Sequence, residues 1–262
     1  MASRTNNSVD RALGLLRLLA RERGPVRFAD IQTRSGIPKG TLHPLLGSLE
    51  AADFVRRSAR GYEIGMAAFE VGTAVRAPAS LRGVASPLLD ELLSLGEACH
   101  FGVLDGGDVV YLDRRDSAQE ALRYTARIGS RKPAYATALG KAMLALKTDA
   151  EVESLYPGQL RVLTPRTLTS RAELLTALAG IRESKYATES EESTPGVCCI
   201  GVAGRIRDIS YGLSITVPVA RTRAADLAAK FLPVLSTISG RLDASLTTAE
   251  WFDPRALTVQ PQ

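Results

Sequence analysis

The sequence predicts a two-domain α+β protein, and three observations support this prediction. The chain has 262 residues, more than one hydrophobic core comfortably serves, and 45% of them are apolar, as in ordinary globular proteins. The N-terminal part has helical spacing of apolar residues and one short alternating segment. The remainder mixes helical stripes with alternating strands, without the regular rhythm of a parallel sheet. We expect domains over residues 1–65 and 81–250, a linker helix over 66–80, and a tail over 251–262.

Positive charge is concentrated in the first third of the chain. Residues 1–80 hold 12 Arg and Lys against 7 Asp and Glu, whereas residues 81–262 hold 21 of each, so the net charge of +5 comes from the N-terminal part. A basic segment attracts the phosphates of nucleic acids. Charge alone fits a solvated basic surface equally well.

The composition also excludes several classes of protein. There is no apolar run long enough to cross a membrane, and the N-terminus MASRTNNSVD lacks the apolar centre of a secretory signal, so we expect a cytoplasmic protein without a membrane partner. The three cysteines, Cys99, Cys198 and Cys199, are odd in number and include an adjacent pair, which argues against a disulfide framework. Without CxxC or HxxxH spacing, we expect no structural zinc and no other cofactor.

Three helices are predicted at the start of the first domain. Ser8 is placed to cap the first helix, and Gly24-Pro25 ends it. Its inward stripe is predicted to be Val9, Ala12, Leu13, Leu16 and Ala20. A second helix spans about 28–34, and Gly36 supplies the permissive backbone of a tight turn. Pro38 then sets the first turn of the third helix, whose buried stripe is predicted to be Leu42, Leu45, Leu46 and Leu49.

This arrangement is the outline of a helix-turn-helix, whose second helix enters the major groove of DNA. The following stretch FVRRSARGYEIG alternates apolar and polar residues around 58–61, as a small hairpin or wing would. We expect the DNA contacts to come from the third helix and the wing, through Lys39, Thr41, His43, Arg56, Arg57 and Arg60. For His43 alone, partial packing on the protein surface fits as well as a base contact.

The predicted linker helix carries three large apolar residues, Met66, Phe69 and Val75, and Pro78 marks its expected end. Packing against a partner subunit and packing against the protein's own core fit these residues equally. One recognition helix contacts too few base pairs for specific binding, so we expect a homodimer or a dimer of dimers.

The second domain is predicted to be an open, largely antiparallel sheet flanked by helices. A helical stripe ending near Gly96 consists of Leu81, Val84, Leu88, Leu92 and Leu95. The segments ACHFGVL and VVYLD, joined by DGGD, predict a hairpin. Further helices are expected over about 138–147, 170–186 and 222–246, the second opened by a Ser170–Glu173 capping box. Further strands are expected over 197–206 and 213–217.

Ordered blocks covering essentially the whole chain resemble the IclR family of bacterial transcription regulators. They are SVDRALGLL, SGIPKGTLHPLLGSLE and FVRR with GYEIG in the first domain, then DGGDVVYLDR, GSRKPAYATALGKAMLA and ESEESTPGVCCIGVAGRIRD. The resemblance implies a winged helix-turn-helix domain and a GAF-like effector-binding domain. It also implies double-stranded operator DNA and a small-molecule effector as partners, with Arg11 as a DNA-backbone contact.

The family's effector-binding positions fall on Ala138, Leu139, Gly140, Glu189, Val197, Cys199, Ser214 and Thr216. A helix that begins at Ala138 would offer free N–H groups to a carboxylate, and the Ser214 and Thr216 hydroxyls, two apart on a strand, face the same side. Ordinary structural roles remain open for these residues, with Cys199 as a small buried hydrophobe. Glu189 departs from the family, which commonly has Asp there.

The third helix departs from the family at two positions, since Gly40 and Pro44 stand where the family usually has Ser and Arg. Pro44 removes a backbone donor and crowds the preceding turn, at a typical cost of about 3 kcal/mol inside a helix. We therefore expect a kinked helix or a loosened first turn, and an operator preference different from that of close relatives.

The sequence thus predicts a DNA-binding transcription regulator, repressor or activator, controlled by a metabolite bound in its second domain. One alternative is a DNA-binding protein whose second domain only oligomerises. Another is a hydrolase in which Cys99 or Cys199 is the nucleophile and His100 the base. We do not expect the protein to be an enzyme, because Cys99 and His100 are adjacent on a strand and face opposite sides. GxSxG, Walker and GxGxxG motifs are also missing from the sequence.

Overall fold

The computed structural model describes residues 7–22, 24–117 and 126–248, with the backbone alone for 76–79. The chain divides into two compact units, Met1–Arg76 and Ala77–Gln262. The described part contains no helix long and apolar enough to cross a membrane. The predicted tail over 251–262 lies outside the described residues.

The first unit is a small helical domain with a two-stranded hairpin. Its elements are α1 (Asn7–Ala20), α2 (Phe28–Ser35), α3 (Lys39–Ala51), β1 (Val55–Ser58), β2 (Gly61–Ile64) and α4 (Met66–Thr73). The predicted second and third helices and the wing are therefore confirmed. The domain core is formed by Leu15, Leu19, Val26, Ile31, Ile37, Leu42, Leu46, Val55 and Tyr62.

The first helix buries a different face from the one predicted. Leu15 and Leu19 are buried, whereas Val9 and Leu13 are 52% and 46% exposed. Ser8 lies inside the helix, which begins at Asn7, so Ser8 is not its cap. Apolar residues occupy two neighbouring stripes of this helix, and periodicity alone could not show which stripe packs against α2 and α3.

The turn and the third helix follow the prediction in most respects. Gly36 adopts a left-handed conformation with φ of 65° at the end of α2, and Leu42 and Leu46 are buried on α3. The helix continues through Pro44, and the N–H groups of Thr41 and Leu42 both reach the Pro38 carbonyl at 2.9 Å. A loosened first turn was therefore a wrong expectation. Because Pro44 has no N–H, the Gly40 carbonyl loses its helical partner. Both residues are exposed, so this carbonyl is close to solvent.

The wing is a regular hairpin in which Val55 pairs with Ile64 and Ser58 with Gly61. Val26 adds an isolated bridge, because it exchanges two 2.8 Å hydrogen bonds with Tyr62. Gly61 has φ of 135°, and a Cβ atom there would lie 2.3 Å from the Val26 carbonyl oxygen. Only glycine allows the hairpin to lie this close to the segment before α2.

The linker differs from the single helix predicted over 66–80. Helix α4 ends at Thr73, and α5 (Arg76–Leu93) begins after a short break at Ala74 and Val75. Pro78 lies in the first turn of α5 instead of ending a helix. A proline is accepted there because the first N–H groups of a helix have no partner within it.

The second unit contains one antiparallel sheet in the order β5-β4-β3-β8-β7-β6 among the described residues. Its strands are β3 (Ala98–Asp105), β4 (Asp108–Arg115), β5 (Arg131–Pro133), β6 (Ala187–Ser190), β7 (Val197–Ile206) and β8 (Ile209–Pro218). Its further helices are α6 (Ala138–Leu144), α7 (Asp149–Leu155), α8 (Arg171–Ser184) and α9 (Leu227–Thr248). The α+β prediction and the Ser170–Glu173 capping box are confirmed. The helix predicted over 138–147 ends at Leu144, and β5, β6 and α7 were not predicted.

Helices cover both faces of the sheet. Side chains of α5 and α9 form one core with one face of β3, β7 and β8, while α6, α7 and α8 form a second core on the other face. Three glycines bring α6 close to the sheet. A Cβ atom on Gly212 would lie 2.5 Å from Leu139, one on Gly201 would lie 2.9 Å from the Leu139 nitrogen, and Gly102 is similarly crowded. Polar side chains on this face therefore lie directly under the start of α6.

Candidate ligand cavity and nucleic-acid interface

The first unit presents basic side chains on α3 and the wing. Lys39 and His43 are exposed near the start of α3, and Thr41 is half-buried. Together with Arg57 and Arg60, Lys39 and His43 border one surface groove. Lys39 and His43 lie one turn apart on α3, so both side chains reach the same groove.

The basic residues differ in how freely they can contact phosphate. Arg56 forms an ion pair with Glu63 at 2.8 Å, which neutralises part of its charge. The Arg57 guanidinium lies 5.6 Å from the centre of the Tyr62 ring, and Arg60 is exposed at the hairpin turn.

Two more basic residues of the first unit, Arg11 and Arg27, lie outside α3 and the wing. Arg11 lies on α1 and borders a different groove, with Arg17 and Arg21. Arg27, which immediately precedes α2, borders the wing groove and was missed, because it lies outside both predicted contact elements.

The second unit contains a small, partly open cavity of about 30 Å³ between the sheet and the start of α6, room for one or two water molecules. Seven of the predicted effector residues line it: Ala138, Leu139, Glu189, Val197, Cys199, Ser214 and Thr216. The sequence prediction missed several lining residues from other strands and loops: His100, Tyr111, Ala126, Lys132, Thr137, Ser193 and Thr194.

Gly140 is not among the residues that line the cavity. Its N–H already donates to Oγ1 of Thr137 at 2.9 Å, which caps α6. A Cβ atom on Gly140 would lie 2.3 Å from the Ala134 carbonyl oxygen. Its evident structural role is the close approach of α6 to the turn before it.

The floor of the cavity carries a chain of polar contacts across three strands. Sγ of Cys199 lies 3.2 Å from Oγ1 of Thr216, and the same oxygen lies 3.5 Å from Nδ1 of His100. Ser214 pairs with His100 in the sheet and is buried beside it. The hydroxyls of Ser214 and Thr216 both line the cavity, as their spacing along β8 predicts.

Two buried atoms of the cavity lining have no hydrogen-bond partner in the described part of the chain, Oε1 of Glu189 and Nε2 of His100. Glu189 is 2% exposed and His100 is 3% exposed. Burial raises the pKa of Glu189 from 4.5 to about 7 and, with a smaller contribution from Arg114, lowers the pKa of His100 from 6.5 to about 4. Unpartnered buried polar atoms are costly, so these two atoms are available for hydrogen bonds to a molecule in the cavity.

A loop between β6 and β7 closes one side of the cavity. Nζ of Lys132 donates to Oγ1 of Thr194 at 2.8 Å, and the Glu192 N–H donates to Oε2 of Glu189 at 2.9 Å. The nearly buried Lys141 binds Glu192 at 2.6 Å. These contacts hold the loop over the cavity.

The cysteines do not have the environment of a catalytic nucleophile. Burial raises the pKa of Cys199 well above its ordinary value, first of all through desolvation and then through Glu189. Cys99 lies on the other face of the sheet, where burial also raises the pKa of its thiol. A nucleophilic cysteine requires a lowered pKa.

Comparison with known proteins agrees with this architecture. The model of the bacterial transcriptional regulator IclR C-terminal domain matches residues 74–244, and the IclR helix-turn-helix domain matches residues 8–59. The HTH-type transcriptional regulator XynR of Escherichia coli is 36% identical over 84% of this chain and 90% of its own length. The HTH-type transcriptional repressor AllR of Salmonella typhi is 31% identical over 84% of this chain and 83% of its own length.

Solved structures have the same fold. The IclR protein of Thermotoga maritima superposes with a TM-score of 0.70 at 26% identity, covering 92% of this chain and 98% of that one. An IclR homolog of Microbacterium hydrocarbonoxydans, complexed with 4-hydroxybenzoate, superposes with a TM-score of 0.73 at 22% identity, covering 91% and 100%. The chain belongs to the IclR family and is a DNA-binding transcription regulator.

Proposed function

We propose that the protein binds operator DNA through its first unit and that a small molecule bound in the cavity of the second unit controls this binding. The observation that carries the proposal is a pair of buried atoms without a hydrogen-bond partner among the described residues, Oε1 of Glu189 and Nε2 of His100, in the cavity that seven of the implied effector-binding residues line. A domain used only for assembly would have no need of such atoms. This argues against the alternative in which the second unit only oligomerises.

The DNA-binding part of the proposal rests on the groove between α3 and the wing. Lys39 and His43, which border this groove, would face the major groove, while Arg56, Arg57 and Arg60 would contact the backbone. Thr41 is half-buried and does not border the groove, so its contact would be made from the edge of the helix. Arg11 on α1 and Arg27 before α2 would add backbone contacts. Contacts to phosphate give affinity without sequence preference, so α3 would carry the specificity.

The proposal includes a symmetric assembly, as a homodimer or a dimer of dimers in the cytoplasm. The first unit exposes six large apolar side chains on α1, on α4 and just after α4: Val9, Leu13, Met66, Phe69, Val71 and Val75. Exposed apolar surface of this extent favours burial against a partner. A dimer would also supply the second recognition helix that specific binding requires.

A small carboxylate suits the cavity, and the 4-hydroxybenzoate bound by a protein of the same fold is one. We infer that the loop between β6 and β7 opens to admit such a molecule, because its contacts with Lys132 and Glu189 close one side of the cavity. An effector can shift the protein between two arrangements only if it binds one of them more tightly. The opened loop would be the part that differs.

The proposal is tested by selecting fragments of genomic DNA with the full-length protein and measuring their affinity at several salt concentrations. We expect a fragment whose binding weakens steeply with salt and changes when a ligand of the second unit is added. Light scattering of the same preparation, with a Phe69→Asp variant for comparison, measures the assembly. Binding to no fragment above the level of random DNA would refute the regulator function.

A further inference from the structure

Two groups that can carry opposite charges line the cavity. Lys132 on β5 and Glu189 on β6 both line it, from opposite edges of the sheet. In the described part of the chain they form no ion pair. Among the described residues, Lys132 donates only to the neutral hydroxyl of Thr194, and burial lowers the pKa of its ammonium group.

The ammonium group of Lys132 therefore lacks an anionic partner in a largely buried place. A hydroxyl is a weaker partner for an ammonium group than a carboxylate is. A bound carboxylate could replace Thr194 at Nζ of Lys132, and this exchange would release one of the contacts that hold the loop over the cavity.

A carboxylate ligand would also change the charge balance at Glu189. With Lys132 charged and Glu189 ionised, the empty cavity is neutral in total. An added monoanion leaves one excess negative charge in a place of low polarity, which is costly. A proton on Oε1 of Glu189 restores neutrality, and the carboxyl group then becomes a hydrogen-bond donor to the ligand.

From these contacts we propose that the cavity binds a monoanionic carboxylate through Lys132 and that Glu189 takes up a proton from solvent when the ligand binds. The proposal rests on the proposed effector function and identifies its ligand class and two of its recognition groups. Lys132 would determine specificity for an anion, and Glu189 would select against a ligand that carries its own positive charge.

Burial favours the protonated form of Glu189 and outweighs the hydrogen bond to its Oε2 and the charge of Lys141, which favour ionisation. The groups that face it are Cys199 and Tyr111 from the sheet, Glu192 from the loop, Lys141 from α6, Lys132 from β5 and His100 from β3. Lys141 is already paired with Glu192. His100 is neutral above pH 4, because burial lowers its pKa to about that value. Glu189 is therefore the group with a pKa near neutrality, about 7, in this cavity.

The test is direct ligand binding to the full-length protein by titration calorimetry. The probes are glycolate and 4-hydroxybenzoate as monocarboxylates, glycolamide and 4-hydroxybenzamide as neutral isosteres, and glycine as a zwitterion. We expect at least one carboxylate to bind, with both amides and glycine at least tenfold weaker. The affinity for the carboxylate should be about tenfold weaker at pH 8 than at pH 6. The reason is that the ligand binds the protonated form of Glu189, whose pKa in the free protein is about 7.

Variants assign these effects to residues. Lys132→Met should weaken carboxylate binding at least tenfold, while Lys230→Met, which removes an exposed charge from α9, should leave it unchanged. Glu189→Gln is permanently neutral, so it should bind the carboxylate with little dependence on pH. Glu153→Gln on the surface of α7 should keep the wild-type dependence. Calorimetry in buffers of different ionisation enthalpy should give uptake of roughly half a proton at pH 7.

Three results would overturn the inference: no carboxylate probe binds, the amides or glycine bind as well as the carboxylates, or Glu189→Gln keeps the wild-type pH dependence. The melting temperature of each variant shows whether it is folded. DNA binding is measured on the same preparations. If it persists while the carboxylates fail, the inference is wrong and the DNA-binding function stands.

Discussion

Glu189 and His100 line the same cavity, and each leaves one buried atom, Oε1 and Nε2, without a partner in the described part of the chain. Burial has opposite effects on their pKa values, about 7 for the acid and about 4 for the base. Both groups therefore favour the neutral form between these values. Between these pH values neither group adds charge to the cavity, and both keep a polar atom available for a ligand.

This pair predicts an unusual dependence of stability on pH. The pKa of His100 is lowered on folding, so its contribution is complete above pH 6.5 and is lost as the pH falls toward 4. The pKa of Glu189 is raised, so its contribution is complete below pH 4.5 and is lost as the pH rises toward 7. In the wild type these two slopes oppose each other between pH 4.5 and 6.5.

Glu189→Gln removes the contribution of Glu189 and leaves that of His100. The free energy of unfolding of this variant, relative to the wild type, should rise by roughly 2 kcal/mol between pH 4.5 and 6.5. His100→Gln should show the opposite trend, falling relative to the wild type over the same interval. Urea unfolding at several pH values measures both. Parallel curves for Glu189→Gln and the wild type would contradict the buried environment of this acid.

The wing predicts a salt-dependent loss of DNA affinity. Arg57 and Arg60 border the groove beside α3 and have no acidic partner in the described structure, so each is free to contact phosphate. Alanine at either position should weaken binding to all DNA sequences similarly and reduce the slope of log affinity against log salt by about 1. The variant Arg205→Ala in the second unit provides the charge control. A change of sequence preference without a change of slope would argue against a phosphate contact.

Two glycines of the first unit predict opposite effects of the same substitution. Gly61 has φ of 135°, and its Cβ would lie 2.3 Å from the Val26 carbonyl oxygen, so Gly61→Ala should destabilise the domain by about 3 kcal/mol. Gly47 lies exposed on α3 with nothing within 4 Å of its Cβ position, so Gly47→Ala should stabilise the domain by up to about 1 kcal/mol. Thermal unfolding compares them. Equal effects would mean that the bridge between Val26 and Tyr62 does not constrain the wing.

Most elements that the sequence predicted from strong periodicity or local turn signals are confirmed. Strand β7 has the predicted bounds, and the Ser170 capping box is present because it depends only on residues three apart. On α1 the buried face was wrong, since the choice between two apolar stripes depends on where other helices pack. Strand β6 was missed because it has four residues, and its sequence ATES resembles a polar loop.

The cavity could be predicted only in part, because its lining residues come from strands and loops that are far apart in the sequence. Ser214 and Thr216 follow from their spacing on one strand, and resemblance to the family supplied Glu189 and Cys199. Lys132 comes from a three-residue strand at the far edge of the sheet, and no local pattern links it to Glu189. The absence of an ion pair between them depends on distances across the whole sheet.

The third helix predicts that stability and operator choice can be separated. Gly40 has nothing within 4 Å of its Cβ position, and Pro44 leaves the Gly40 carbonyl without its helical N–H donor. Gly40→Ala should therefore stabilise the helix by about 1 kcal/mol, and Pro44→Ala should stabilise it by up to about 3 kcal/mol. Neither side chain adds a charged or hydrogen-bonding group, so both variants should keep the wild-type ranking of operator sequences.

Pro44→Arg adds the same backbone donor and also an exposed cation beside His43, so we expect it to raise DNA affinity and change the ranking of operator sequences. Selection from a randomised DNA library, followed by competition binding at fixed salt, compares it with Pro44→Ala. Helix content by circular dichroism separates a backbone effect from a contact. If Pro44→Arg and Pro44→Ala select the same sequences with the same affinity, position 44 does not face the DNA, and α3 must present a different side to the major groove.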